Sequence, residues 1–384
     1  MNSQRYATVV TIIAVAVFFT NLSLYKYQIE PLTILEPKYD LLVLGVLCLP
    51  VVWHRVRQGR VPFNDKLLLF VFVAVLVFLV GTLVHSGSTS LSPLILQFTG
   101  LAFLVLCYLL FKDDETLFHA KRAVLVCLIL AVLINLFEVL HPGMFSVSPG
   151  RSAGLYINPN ISAVALVTGS ILAIGLVPVR MRIAFLIIVG AGVFSTMSRS
   201  GMIIFVAATI VFVLQGVVRP DWRRAYVLAN TLILLGFVLF FYYAVATVPE
   251  YHFAVDAKIG TALGLTEDAE RDELESVRGE RLEEATILYA QNPIFGVGLD
   301  RAWALEIHNS YLLYSLAYGL VGWLFVPALA LVVAGGGDRR VALHMALALV
   351  LMAVFSHDLM TDRTVLLPLA LASVTPKDLW QPHD

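Results

Sequence analysis

Apolar runs of about 17 to 22 residues recur along nearly the whole of this 384-residue chain, each long enough for the roughly 20 residues of a bilayer-spanning helix. They fall near 7–24, 38–53, 67–85, 91–111, 123–140, 160–178, 182–197, 201–217, 225–246, 308–333, 341–356 and 363–375. An all-α, polytopic membrane protein of about twelve spans is the expectation, with one transmembrane domain over 1–384 and the last span the weakest. Hydrophobic residues make up 59% of the chain and charged residues only 14%, far from the half and quarter of soluble proteins. The first run follows only Arg5 and precedes Tyr25, Lys26 and Tyr27 without a small-residue cleavage site, so it reads as a retained helix. Cys48, Cys107 and Cys127 lie inside runs without metal or disulfide spacing, and no HExxH or acidic metal motif occurs. Neither a metal nor a cofactor is expected.

The net charge of −1 hides a sorting of charge. With both termini in the cytoplasm, Arg55, Arg57, Lys66, Lys112, Lys121, Arg122, Arg180, Arg182, Arg339 and Arg340 fall in inside loops, as the positive-inside rule asks. Lys26, Arg151, Arg199, Arg271, Arg278, Arg281, Arg301 and Arg363 fall outside and have no such excuse. One outside segment, 247–307 between the ninth and tenth spans, is long, and long loops carry function. Nothing in this distribution suggests nucleic acid.

Within that loop, Thr266 to Ala290 reads as a helix. At 100° per residue, Arg271, Arg278 and Arg281 share a sector of about 80°. The alternative is a solvated helix laced with pairs such as Arg271–Glu275 and Arg281–Glu284. Arg199 stands between two apolar runs in Ser198-Arg199-Ser200-Gly201, where an arginine at membrane depth costs several kcal/mol unless it lines a wet cavity. Ser195, four residues earlier, is expected on its face. Arg151 opens the loop to Asn158-Pro159-Asn160, where Asn160 is suited to cap the next helix and the helix N-terminus to receive an anion. His308 begins the tenth span, and with an ordinary pKa of about 6.5 it can take a proton from a hydroxyl. The Asn292-to-Gly298 turn precedes it, and Gly319 and Gly322 are expected on one helix face, allowing close packing. His357 and Asp358 read as anchors at another outer junction, as do His85 and His141.

These pieces, in this order, resemble the O-antigen ligase and polymerase family. The resemblance runs over roughly 150 to 325: Asn158-Pro159-Asn160, Ser198-Arg199-Ser200-Gly201, Arg278 fourteen residues before Asn292-Pro293, the Gly296-Val297-Gly298 turn, and His308-Asn309-Ser310-Tyr311. Ligases carry His, then Asn, Ser or Gln, nine residues, Gly, two residues, and Gly, Thr or Tyr, which His308, Asn309, Gly319 and Gly322 fit. A tryptophan often found four residues after the loop arginine is Leu282 here, leaving Arg278 and Arg281 as alternatives.

The resemblance implies a GT-C-like glycosyltransferase in the bacterial inner membrane with a periplasmic site. It implies inverting, metal-independent transfer of O-antigen from undecaprenyl diphosphate to lipid A–core oligosaccharide in lipopolysaccharide biosynthesis. His308 would then be the general base, and Arg199, Arg278 and Arg281 would bind the diphosphate. Arg151, Asn160, Arg271, Asn309 and Tyr311 would be further substrate contacts, and a lateral opening between helices would admit the polyprenyl chain. Polymerisation of lipid-linked repeat units is the alternative, and a protein O-glycosylating transferase a more distant one. A transporter or lipid exporter would show mid-span charges or paired broken helices in two halves, and the sequence has neither.

Overall fold

A computed structural model of the chain describes residues 3–29, 37–57, 65–85, 91–148, 150–219, 223–252, 269–356 and 358–374. Among these residues every regular element is helical, and each of the twelve apolar runs contains helix. Helix α1 (Ser3–Ala14) runs through a π-helical turn, Val15–Phe19, and bends by 51° into α2 (Leu22–Ile29). There follow α3 (Pro37–Arg57), α4 (Lys66–Val84), α5 (Leu91–Phe111), α6 (Asp114–Leu140), α7 (Pro159–Ala173), α8 (Arg182–Ser195), α9 (Arg199–Leu214) and α10 (Arg224–Thr247). After the long loop come α11 (Ala269–Gln291), α12 (Leu299–Ala304), α13 (Ser310–Tyr318), α14 (Leu320–Trp323), α15 (Phe325–Ala334), α16 (Arg339–Phe355) and α17 (Arg363–Val374).

Six of these helices are long and apolar enough to cross a membrane, and seven if the bent first pair is one span. Large apolar side chains such as Leu42 and Leu49 on α3, Phe72 and Leu83 on α4, and Leu228 and Tyr242 on α10 are more than half exposed. Such continuous apolar exposure is what lipid covers. The chain is a helical membrane protein.

Two expectations change. The tenth run is not one helix: it breaks at Gly319 (φ 64°) into α13, α14 and α15. The weakest run, at the C-terminal end, forms one of the most enclosed helices. Thr364 to Ala372 of α17 are all buried, and this helix packs against α5, α7 and the π turn of the first helix. A helix apolar all round belongs in a core, and at 12 residues it is short because neighbours rather than lipid surround it.

One end of the bundle is marked by a group of cations held by carboxylates and carbonyls. There Arg55 pairs with Asp113, Lys112 lies 3.3 Å from Asp65, which Tyr108 also contacts, and Arg182 donates to Val217 O at 2.7 Å. These belong to the cations assigned to inside loops or to their partners. The residues with expected chemistry gather at the other end.

Candidate functional site

At that other end α6 delivers a carboxylate. Glu138, two residues from the helix terminus, is 1% exposed. Its Oε1 accepts from Phe145 N at 2.9 Å and from Ser146 N, and its Oε2 from Ala153 N at 2.7 Å and Gly154 N at 2.8 Å. Both arms of the 141–157 loop are thus tied to one side chain. Asn135, one turn earlier, donates to Ser162 Oγ at 2.8 Å and sets α7 on the same face. Asn21, at the bend of the first helix, donates to Tyr156 O at 3.4 Å. Burial raises the Tyr156 phenol well above its ordinary value and also raises the Asp362 carboxyl, the latter against hydrogen bonds from Thr364.

Arg151 leaves this loop toward the break between α8 and α9. Its Nε donates to Thr196 O and its Nη2 to Asn160 Oδ1, both at 3.1 Å. Asn160 Oδ1 also accepts from Ser198 Oγ at 2.9 Å. Ser198 is the N-cap of α9, its Oγ accepting from Gly201 N at 3.2 Å. Asn158, not Asn160, caps α7: its side chain accepts from Asn160 N at 2.9 Å, and Pro159 takes the first helical position, where a missing N–H costs nothing. Asn160 is left to bridge Arg151 and Ser198. Two capped helix N-termini thereby meet beside Arg151 and the exposed Arg199, and bring the positive ends of two helix dipoles to one place. The expected sharing of a face by Ser195 and Arg199 does not hold, because Met197 (φ 49°) breaks the chain between them. Ser195 instead accepts from Ser152 N at 3.1 Å.

The second group sits on the 269–309 arm. The expected helix in the long loop is α11, and its residues 266–268 lie outside the described residues, as do the side chains of Arg271 and Arg278. Arg281 pairs with Glu306 at 2.7 Å rather than with Glu284 along its own helix, which places this arginine beside the strand of chain leading to His308. The 292–298 turn that follows α11 is held by main chain. Val297 N donates to Leu316 O at 2.6 Å, and Gly296 (φ 74°) and Gly319 (φ 64°) lie so close that a Cβ on either would overlap the opposing backbone. Gly319 therefore breaks the helix to receive the turn, rather than sharing a face with Gly322. His85, expected as a simple interfacial residue, bridges the two parts: its Nδ1 lies 2.8 Å from Gly81 O and its Nε2 3.2 Å from Gly296 O.

His308 is exposed and precedes Asn309, the N-cap of α13, whose side chain accepts from Leu312 N at 3.1 Å. Tyr311 Oη donates to Val350 O at 3.4 Å, so Asn309 and Tyr311 both have structural duties beside the histidine. Ser310 Oγ donates to Ser356 O at 2.9 Å. His357 lies outside the described residues. Asp358 is buried and accepts from Gln97 Nε2 at 2.6 Å, Tyr314 Oη at 2.5 Å and Met360 N at 2.9 Å, a set of bonds that ties α5 to α13. The Arg151–Arg199 group and the Arg281–His308 group stand on separate helices, joined through α16, which packs against α7, α9 and α13. Beside the second group lies an apolar cavity of about 370 Å³, walled by Val80 and Val84 of α4, Ile294 and Phe295 of the turn, and Tyr318 and Leu320.

Glu138 and His85 were not read from the sequence as parts of a site. Glu138 has main-chain partners, which leave no side-chain pattern. Its one signal is a carboxylate near the end of an apolar span, directly before a Pro- and Gly-containing loop.

No curated protein matches the chain. Residues 183–327 match the family model described as O-antigen ligase. The matched segment holds Arg199, Arg281, the glycine turn, His308 and Gly319, and leaves the Glu138–Arg151 loop before it. With the ordered pieces noted above, the match makes residues 183–327 similar to the O-antigen ligase domain, consistent with the O-antigen ligase and polymerase family.

Proposed function

We propose that this protein is an O-antigen ligase that moves a glycan from undecaprenyl diphosphate to a hydroxyl of lipid A–core oligosaccharide. In this reading it is a twelve-span, GT-C-like enzyme of the bacterial inner membrane, both termini are cytoplasmic, and the site end of the bundle faces the periplasm. One observation carries the reading: the Arg151 guanidinium and the N-termini of α7 and α9 meet at the Asn160–Ser198 bridge, and the exposed Arg199 is the first residue of α9. A diphosphate leaving group gains charge as its bond to the anomeric carbon breaks. Guanidinium forks and helix N–H groups are suited to that charge.

Arg281, and Arg278 or Arg271 on the same helix, would close on the diphosphate from the arm. His308 would accept the proton of the attacking acceptor hydroxyl as that oxygen bonds to the anomeric carbon, a metal-independent displacement that inverts configuration. The apolar cavity next to the turn suits an isoprenoid chain arriving from the bilayer.

The test is transfer by the purified, reconstituted chain given undecaprenyl-diphosphate glycan and lipid A–core. Glycan on lipid A–core supports the ligase. Lengthening of the donor with no need for acceptor identifies a polymerase instead, and inertness toward the donor both with and without lipid A–core overturns the reading. Arg199→Lys keeps the charge but loses the fork, so undiminished transfer by that variant would remove the bidentate contact from the mechanism.

A further inference from the structure

We propose that Glu138 is a positioning residue, whose carboxylate holds the 141–157 loop in the one shape that presents the Arg151 guanidinium to the site. The proposal rests on the reading that Arg151 contacts the donor diphosphate. Glu138 is 1% exposed, and its two oxygens take four main-chain N–H groups, two from each arm of the loop. Arg151 lies between those arms, two residues before Ala153. On its far side the loop is fastened to the α8–α9 break through Ser152 N to Ser195 O and through Arg151 itself to Thr196 O. The guanidinium is therefore suspended between a carboxylate under the loop and the N-cap region of α9.

Only an ionised glutamate meets the demand. A carboxylate offers about four lone-pair sites and no donor. Glutamine keeps the shape but turns an NH2 group toward two N–H donors, and aspartate falls one methylene short. The four hydrogen bonds of the carboxylate go to loop main chain, so any effect they have on the guanidinium passes through the backbone on either side of Arg151.

A structural tie would lower stability and leave substrate dependence alone, whereas a positioning residue acts through Arg151. The full chain is reconstituted and donor KM is measured for the wild type, Glu138→Gln, Arg151→Ala and the double variant. Glu138→Gln is expected to raise donor KM by about tenfold or more, as misplacement of a binding group does, with acceptor KM unmoved. In the Arg151→Ala background the same change adds no more than about twofold, the margin for independent sites. An equal rise in both backgrounds, or none in the wild-type background, overturns the proposal.

Binding of undecaprenyl diphosphate alone separates this proposal from the functional reading. No binding by the wild type ends the diphosphate reading and takes the proposal with it. Binding that is equal for wild type and Glu138→Gln ends the positioning role alone. Should the glutamine variant not fold, Glu138→Asp takes its place in the same four-way comparison of donor KM: a rise confined to the background that keeps Arg151 supports the proposal, and an equal rise in both backgrounds, or none, overturns it.

Discussion

The 141–160 loop and the 269–309 arm both end on residues suited to chemistry, yet they are held by opposite means. The loop is fastened from below by a buried carboxylate and from the side by Arg151, Ser152 and Asn160. The arm meets the bundle through the main-chain clasp at Gly296 and Gly319 and the His85 ring, and is braced within itself by an ion pair, Arg281–Glu306, whose side chains are 42% and 67% exposed. An exposed pair of that kind contributes at most about 1 kcal/mol. The difference makes the loop the more firmly fixed of the two regions and the arm the more adaptable. Such a division suits a reaction in which one bulky lipid-linked substrate must be held while another is admitted.

The sharpest way to break this comparison is chemical. His308→Ala should cost about 100- to 10,000-fold in transfer, the usual worth of a general base, while Tm stays where it was, because His308 is exposed; a large fall in Tm would show that the arm is structural too. Next in size is Glu138→Ala, which leaves four N–H groups, three of them buried, without their acceptor. At about 1–3 kcal/mol for each buried donor that finds no new partner, a loss of at least about 3 kcal/mol is expected, read as a fall in unfolding midpoint. A change under 1 kcal/mol would mean that water takes over the loop.

Gly319→Ala should cost about 1–3 kcal/mol from its backbone alone, because φ 64° with ψ −142° is a conformation essentially confined to glycine, and overlap with Ile294 O adds to that. Limited proteolysis should then cut the 292–298 turn faster than in the wild type. The smallest effect belongs to Glu306→Ala, expected below about 1 kcal/mol and with a modest rise in donor KM as Arg281 loses its guide. If that variant unfolds as readily as Glu138→Ala, the two regions are not held differently after all.

Much of the fold was legible. The apolar runs all became helices, and α11 appeared where a breaker-free stretch foretold it. The interruption at Ser198-Arg199 and the Asn158-Pro159 entry to α7 were visible as local chemistry, because caps and prolines act within a few residues. What stayed hidden depends on distant partners. An apolar run from 308 to 333 has no local reason to break at Gly319; the reason is a turn twenty-odd residues earlier pressing its backbone there. Asp358 looked like an anchor because Gln97 and Tyr314 are 261 and 44 residues away. The last run looked weak as a span because its length is set by packing between helices, not by lipid.

The clasp at Gly296 and Gly319 also bears on how such a protein can vary. Since backbone oxygens and amides make the contact, its register does not depend on the size or polarity of the side chains around it. Ile294, Phe295, Leu320 and Val321 are all at least half exposed and can be exchanged without moving the arm. A saturation library across 292–322 should therefore show a few intolerant positions, the two glycines among them, set in permissive surroundings. Lipid or glycan preference could then be retuned at the rim of the cavity while the histidine beyond it keeps its place.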